Sequence, residues 1–119
     1  ELGPTRAQEV RIASVVVDPP GDDVAGERVL IRNDRRHAVA LSGWVLRDDS
    51  SHPVRGPWTF NFPNFSLSPG EDVTVWTKTG KADLRNLYWG LTHAVWNNRG
   101  GDAAVLSDNL GNEVTRLAY

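Results

Sequence analysis

Two serines directly before a histidine, Ser50, Ser51 and His52, superficially suggest a nucleophile and its base. A catalytic serine must hydrogen-bond to its base, and residues adjacent in sequence rarely present that geometry. The chain also lacks a Gly-x-Ser-x-Gly sequence, which in serine hydrolases places the nucleophile beside an oxyanion hole. We therefore predict that the chain has no catalytic residues and is not an enzyme.

Metal-ligating residue types are few and scattered along the chain. The three histidines, His37, His52 and His93, lack the spacing typical of a metal site. The chain contains no cysteine, which excludes a zinc ribbon, iron–sulfur ligation, a thiol nucleophile and any disulfide. The sequence therefore predicts no cofactor.

Two acidic pairs, Asp22-Asp23 and Asp48-Asp49, are the weak candidates for a metal site. If the pairs met at one end of the molecule, their carboxylate oxygens could bind Ca²⁺. Their spacing is not that of an EF-hand, and aspartates in loops commonly stabilise turns. The turn interpretation is favoured, and Ca²⁺ binding stays open as the alternative.

Four arginines occupy positions predicted to point outward from early strands: Arg11, Arg28, Arg32 and Arg47. If those strands are neighbours, the guanidinium groups form a patch that could hold phosphate or carboxylate groups. The favoured alternative is a solvated face on which Asp and Glu neutralise the arginines, each exposed pair contributing less than about 1 kcal/mol. The net charge of −2, from 13 Lys+Arg and 15 Asp+Glu, argues against strong non-specific nucleic-acid binding.

Five tryptophans are many for 119 residues. Trp44, Trp89 and Trp96 are predicted to be structural, because truncating a buried indole typically costs about 3–5 kcal/mol. Trp58 and Trp76 are the candidates for exposure, and Trp76 alternates out of step with the valines of its own strand. An exposed indole could stack on sugar rings, as in carbohydrate-binding modules, although core packing is the default use.

Short β-rich runs separated by Gly, Pro, Asn and Asp clusters begin at residue 9 and predict an all-β sandwich or barrel of about eight strands. Residues 1–8 show no periodicity and are predicted to be a flexible lead or linker. Residues 82–89 are predicted to form at most one or two helical turns. The clearest strand runs are residues 10–17, 28–33, 43–48, 58–62, 72–76, 102–107 and 113–118.

Several sequences in a fixed order resemble a known family. They are GERV (26–29), GWVL (43–46), FPNFSLSPGEDVTVW (62–76), LYW (87–89), WNN (96–98) and GDAA (101–104). Each is weak alone, but their order and distances over about residues 10–119 resemble the globular tail domain of nuclear lamins. The combination is most similar to the bacterial branch of that family, although Arg28 stands where an aromatic residue is common.

The resemblance implies an immunoglobulin-like β-sandwich over residues 9–119 without enzymatic activity. It implies an interaction module, and bacterial members are typically attached to exported, surface-associated or nuclease-like domains. An extracellular or cell-surface location is favoured on that basis. A filament role is not implied, because the chain has no coiled-coil rod or heptad pattern.

The predicted partner is an unidentified protein or a second copy of the chain, reached through docking or self-association. The alternative is an envelope glycan or an anionic polymer, including nucleic acid. No small-molecule substrate is predicted, and no apolar run in the sequence approaches the length of a membrane span.

Overall fold

The computed structural model describes residues 10–16, 26–48, 59–91 and 103–118. The regular elements within these residues are ten β-strands. In chain order they are β1 (Val10–Val16), β2 (Arg28–Asn33), β3 (Val39–Ala40), β4 (Val45–Asp48), β5 (Thr59–Asn61), β6 (Ser66–Leu67), β7 (Asp72–Trp76), β8 (Asn86–Tyr88), β9 (Ala103–Ser107) and β10 (Glu113–Ala118).

The first sheet has the strand order β1-β2-β7-β8. Strand β2 pairs antiparallel with β1 and β7, whereas β8 runs parallel to β7. Burial alternates residue by residue along β2 and β7, because successive side chains of a strand point to opposite faces. Val29, Ile31, Val73 and Val75 therefore point into the core, and the residues between them form the other side of the sheet.

The second sheet has the strand order β10-β9-β4-β5, and its pairs are antiparallel. Strand β4 buries Leu46 and Asp48 on one face and leaves Val45 and Arg47 half-buried on the other. Strands β3 and β6 form a separate two-stranded sheet.

The core consists of the inward side chains of both large sheets and of the short strand pair. It also contains Trp44 and Phe62, which flank strands of the second sheet. The prediction that Trp44 is structural is confirmed, because its side chain is almost fully inaccessible to solvent, like that of Leu46. A core of this kind holds the sheets together without a disulfide, as the sequence requires.

Asn33 joins three segments at one end of the first sheet. Its buried side-chain amide donates to the carbonyl oxygens of His37, at 3.1 Å, and Leu67, at 2.8 Å. Its side-chain oxygen accepts a bond of 2.9 Å from the backbone amide of Arg35. The residue is fully buried, so these bonds satisfy polar groups that cannot reach water.

The observed strands match the longer predicted runs and add shorter ones. Strands β2, β7 and β10 have the predicted bounds, and the all-β sandwich is confirmed. Strands β3 and β6 have two residues each and were not predicted. Strand β8 lies within residues 82–89, where at most one or two helical turns were predicted, and its three residues are extended. Strand β9 is buried on both faces.

Candidate docking face

The side of the first sheet that points away from the core, here called the outer face, is built from three cross-strand rows. The rows follow from strand register, because paired residues on neighbouring strands point to the same side. The first row is Val16, Arg28, Trp76 and Tyr88; the second is Ser14, Leu30, Thr74 and Asn86; the third is Arg11, Arg32 and Asp72.

The first row, here called the aromatic row, surrounds the indole of Trp76 with other side chains. Tyr88 stacks on it from β8, with the ring centres 6.4 Å apart and the planes within 14° of parallel. On the β2 side, the guanidinium carbon of Arg28 lies 5.2 Å from the indole centre. The ammonium nitrogen of Lys78 lies 4.8 Å from the same centre. These distances are within the range of cation–π attraction, worth about 0.5–1 kcal/mol each at exposed sites.

A hydrogen-bonded relay fixes the orientation of the Trp76 indole. Its ring N–H donates to the side-chain oxygen of Asn86, at 2.9 Å. The side-chain amide of Asn86 in turn donates to a carboxylate oxygen of Asp83, at 3.0 Å. The backbone amide of Arg85, together with the side-chain amide of Asn86, holds the pKa of Asp83 below its usual value of 3.8. Asp83 is therefore ionised at neutral pH and keeps the relay in one arrangement.

Gly80 supports the aromatic row from the loop between β7 and β8. A methyl group added at Gly80 would lie 2.3 to 2.6 Å from three ring atoms of Tyr88, closer than real contacts allow. The absence of a side chain at this position therefore lets the loop backbone pass directly against the Tyr88 ring.

The third row is an ion-pair network. Asp34 binds the guanidinium groups of Arg11 and Arg32, the latter at 3.1 Å. Asp72 lies 3.9 Å from Arg32 and 3.8 Å from Arg85. These side chains are partly solvent-exposed, so each pair contributes less than about 1 kcal/mol. This half of the outer face fits the solvated, ion-paired interpretation of the arginines.

The surroundings of the Trp76 indole differ, because neither of its two cations, Arg28 and Lys78, is ion-paired within the described part of the chain. Arg28 donates to the carbonyl oxygen of Gly26 at 2.7 Å, and the backbone oxygen of Lys78 accepts a bond of 3.1 Å from the amide of Gly90. The outer face and its rim carry five cations, Arg11, Arg28, Arg32, Lys78 and Arg85, and three carboxylates, Asp34, Asp72 and Asp83. Among the described side chains of this face and its rim, cations therefore outnumber carboxylates by two, on a chain whose net charge is −2.

The four predicted arginines do not form one patch. Arg11, Arg28 and Arg32 lie on neighbouring strands of the first sheet. Arg47 lies on β4 in the second sheet, where it pairs in register with Thr59 and Val105. The condition that their strands be neighbours is therefore met for Arg11, Arg28 and Arg32 and not for Arg47.

The predicted acidic and aromatic candidates fall in different places. Asp48 ends β4 as a buried side chain rather than an exposed loop carboxylate. Asp22, Asp23, Asp49 and Trp58 lie outside the described residues. Within the described ranges, no cluster of three or more His, Cys, Asp or Glu side chains could hold a metal ion.

The predicted tryptophan, histidine and serine candidates also lie in different parts of the chain. Trp76 lies half-buried on the face opposite Val73 and Val75, as its alternation predicted. Trp89 packs against the core, with its ring centre 5.7 Å from that of Phe60. His37 is exposed. Ser50, Ser51, His52, His93 and Trp96 lie outside the described residues.

Sequence reasoning did not single out Lys78, Asp83, Asn86 or Tyr88. Asn86 and Tyr88 flank the apolar Leu87, which is the alternating pattern of a strand. Three residues are too few to distinguish a strand from a turn by such a pattern. Lys78 lies just beyond β7, and its contact with Trp76 depends on how the chain leaves the sheet. No spacing rule identifies such a contact.

Two facing sheets around an apolar core are the architecture of an immunoglobulin-like β-sandwich. A family model described as Lamin Tail Domain matches residues 4–119. The chain therefore belongs to the lamin tail domain family, whose domains are generally non-catalytic. The match includes residues 4–8, which the sequence had assigned to a lead and which lie outside the described residues. No curated protein matches the chain.

Within the described ranges, no helix is long and apolar enough to cross a membrane.

Proposed function

We propose that this domain docks a protein partner, or a second copy of itself, as part of a larger or exported protein. One observation carries the proposal. The outer face holds a fixed aromatic row whose two cations have no carboxylate partner in the described residues. Membership of a family of interaction modules supports the same function.

The aromatic row has the residue types and the fixed side-chain orientation that are typical of binding surfaces. Aromatic and Arg side chains are enriched at interfaces, because they bury much area for few rotatable bonds. The Trp76 indole is already oriented by Asn86, so little side-chain entropy remains to be lost on binding. Leu30 and Val16 are half-buried beside it and extend the apolar part of the outer face.

The experiment is affinity capture from the parent cell, combined with light scattering of the purified chain over a range of concentrations. We expect a retained protein or a concentration-dependent dimer. A strictly monomeric chain that retains no protein above a control resin would contradict the docking function. A leader peptide or a fused domain in the parent gene would test the proposed place within a larger or exported protein.

A second candidate function is binding of an envelope glycan or an anionic polymer. The excess of positive charge on the outer face favours it. Glycan and nucleic-acid arrays at two salt concentrations test this candidate, since phosphate binding weakens steeply as salt rises. Signal that is lost at high salt would support the polymer, and blank arrays at both concentrations would eliminate it.

A further inference from the structure

We propose that the aromatic row is the recognition site of the domain and that its occupant is an acidic segment of a partner polypeptide. The proposal rests on the docking function and specifies its chemistry. Carboxylates of the segment would bind Arg28 and Lys78, whose charged groups lie 5.2 Å and 4.8 Å from the centre of the Trp76 indole.

The arrangement favours an anionic group because two cations lie near one ring and no carboxylate of the described residues pairs with either. Arg28 has donated one bond to a backbone oxygen and keeps further N–H groups for an acceptor. Lys78 has three donors and no ion-pair partner in the described ranges. A guanidinium and an ammonium can each bind a carboxylate by charge-assisted hydrogen bonds.

Stacking of a sugar ring on Trp76 is disfavoured by the same row. Strand register places Tyr88 and Arg28 on opposite flanks of the indole. Both side chains lie within contact range of the ring system. A sugar ring needs an open indole face for stacking, and Tyr88 and Arg28 restrict access to the indole of Trp76.

The distribution of charge along the outer face favours a peptide over a uniform polyanion. Arg28 and Lys78, which have no ion-pair partner in the described ranges, lie at the first row, whereas Asp34 and Asp72 pair with the arginines of the third. Four residues separate Arg28 from Arg32 along β2, a distance of about 13 Å. A peptide can place acidic residues at the first row and neutral or basic residues opposite the carboxylates. A nucleic-acid backbone has the same charge at every step, and along β2 it would meet arginines that Asp34 and Asp72 already pair with.

The test is an NMR titration of the whole ¹⁵N-labelled chain with a short synthetic peptide of Glu and Gly. The peptide of Gln and Gly is the matched ligand control. We expect the Glu peptide to shift the Trp76 indole N–H signal and the amides of the first row, and added salt to weaken the effect. Shifts that occur elsewhere, or equally with the Gln peptide, would overturn the proposal.

The second test compares the affinity of the Glu peptide for variants that lack two positive charges. Arg28→Gln with Lys78→Gln should weaken binding of the Glu peptide by about tenfold, since each exposed charge contact contributes little by itself. The matched control is Arg36→Gln with Arg116→Gln, which removes the same charge away from the aromatic row and should bind like the parent chain. Equal losses in both variants would indicate a bulk charge effect and would overturn the proposal.

Three further outcomes distinguish this inference from the docking function and from a nucleic-acid occupant. If the chain captures a partner and Arg28→Gln/Lys78→Gln captures it equally well, docking stands and the aromatic row is not the site. If an oligothymidine binds the same residues more tightly than the Glu peptide, the occupant is a nucleic acid and the peptide proposal fails. If no partner is captured but the peptide binds as described, the site chemistry stands without the docking function.

Discussion

At the scale of single residues, Asn33 shows how a buried polar side chain fixes loop positions. Its amide group satisfies two carbonyl oxygens and one backbone amide from three places in the chain. An apolar replacement leaves those groups buried without partners, and each such group costs about 1–3 kcal/mol.

Asn33→Ala should therefore lower the free energy of unfolding by about 3 kcal/mol. Urea denaturation followed by tryptophan fluorescence measures the change. Asn61→Ala is the matched control, because Asn61 is exposed on β5, and it should change stability by no more than about 0.5 kcal/mol. Similar values for the two variants would show that Asn33 does not hold the segments together.

Gly80 is the residue on which the geometry of the aromatic row depends. Gly80→Ala places a methyl group against the Tyr88 ring, so the ring must move. We expect a shifted Trp76 indole N–H signal in NMR and a loss of about 1–3 kcal/mol in stability. Thr79→Ala, at the exposed neighbouring position, should leave both quantities unchanged. An unshifted indole signal in Gly80→Ala would contradict the contact.

At the scale of elements, the connection from β7 to β8 is held by the ionised carboxylate of Asp83. Its pKa is lowered because it accepts bonds from the backbone amide of Arg85 and the side-chain amide of Asn86. A carboxyl whose folded pKa lies below its usual value stabilises the fold above that value and loses the effect as pH falls through the lowered pKa.

The NMR signals of the Asn86 side-chain amide should therefore follow the protonation of Asp83. They should change with a midpoint below pH 3.8 and stay constant from there to neutral pH. An NMR pH titration measures the midpoint, and Asp83→Asn should abolish the transition. A midpoint at or above 3.8 would show that the relay does not exist in solution.

The sequence predicted strands where alternation runs for five or six residues and missed them where it does not. Strands β2 and β7 have clear alternation, so their bounds and faces were right. Strands β3 and β6 are too short to show a period and exist because they pair with each other. Such non-local pairing overrides local pattern and is not encoded in either segment alone.

The same limit applies to the candidate site. Arg28 and Trp76 were both singled out, but separately, as a patch member and an exposed indole. Their contact exists because β2 pairs with β7, which lies more than forty residues further along the chain. Arg47 was grouped with the other arginines because its strand is near in sequence, yet β4 belongs to the second sheet. Strand order decides both outcomes.

At the scale of the whole molecule, stability rests on the apolar layer between the sheets. Leu46 is fully buried in this layer, whereas its neighbour Val45 is half-buried on the opposite side of β4. Leu46→Ala should reduce the free energy of unfolding by about 2–5 kcal/mol, and Val45→Ala by about 1 kcal/mol. Thermal or urea unfolding measures both, and a larger loss for Val45→Ala would invert the assignment of faces.

The central claim is that partners meet the domain on the outer face of the first sheet. Site-specific photocrosslinking tests it most directly, with the reactive amino acid placed at Thr74 on that face or at Asn61 on the second sheet. We predict that the Thr74 probe forms a crosslinked product, with a partner protein or with another copy of the chain, and that the Asn61 probe does not. Crosslinking from Asn61 without crosslinking from Thr74 would contradict the claim.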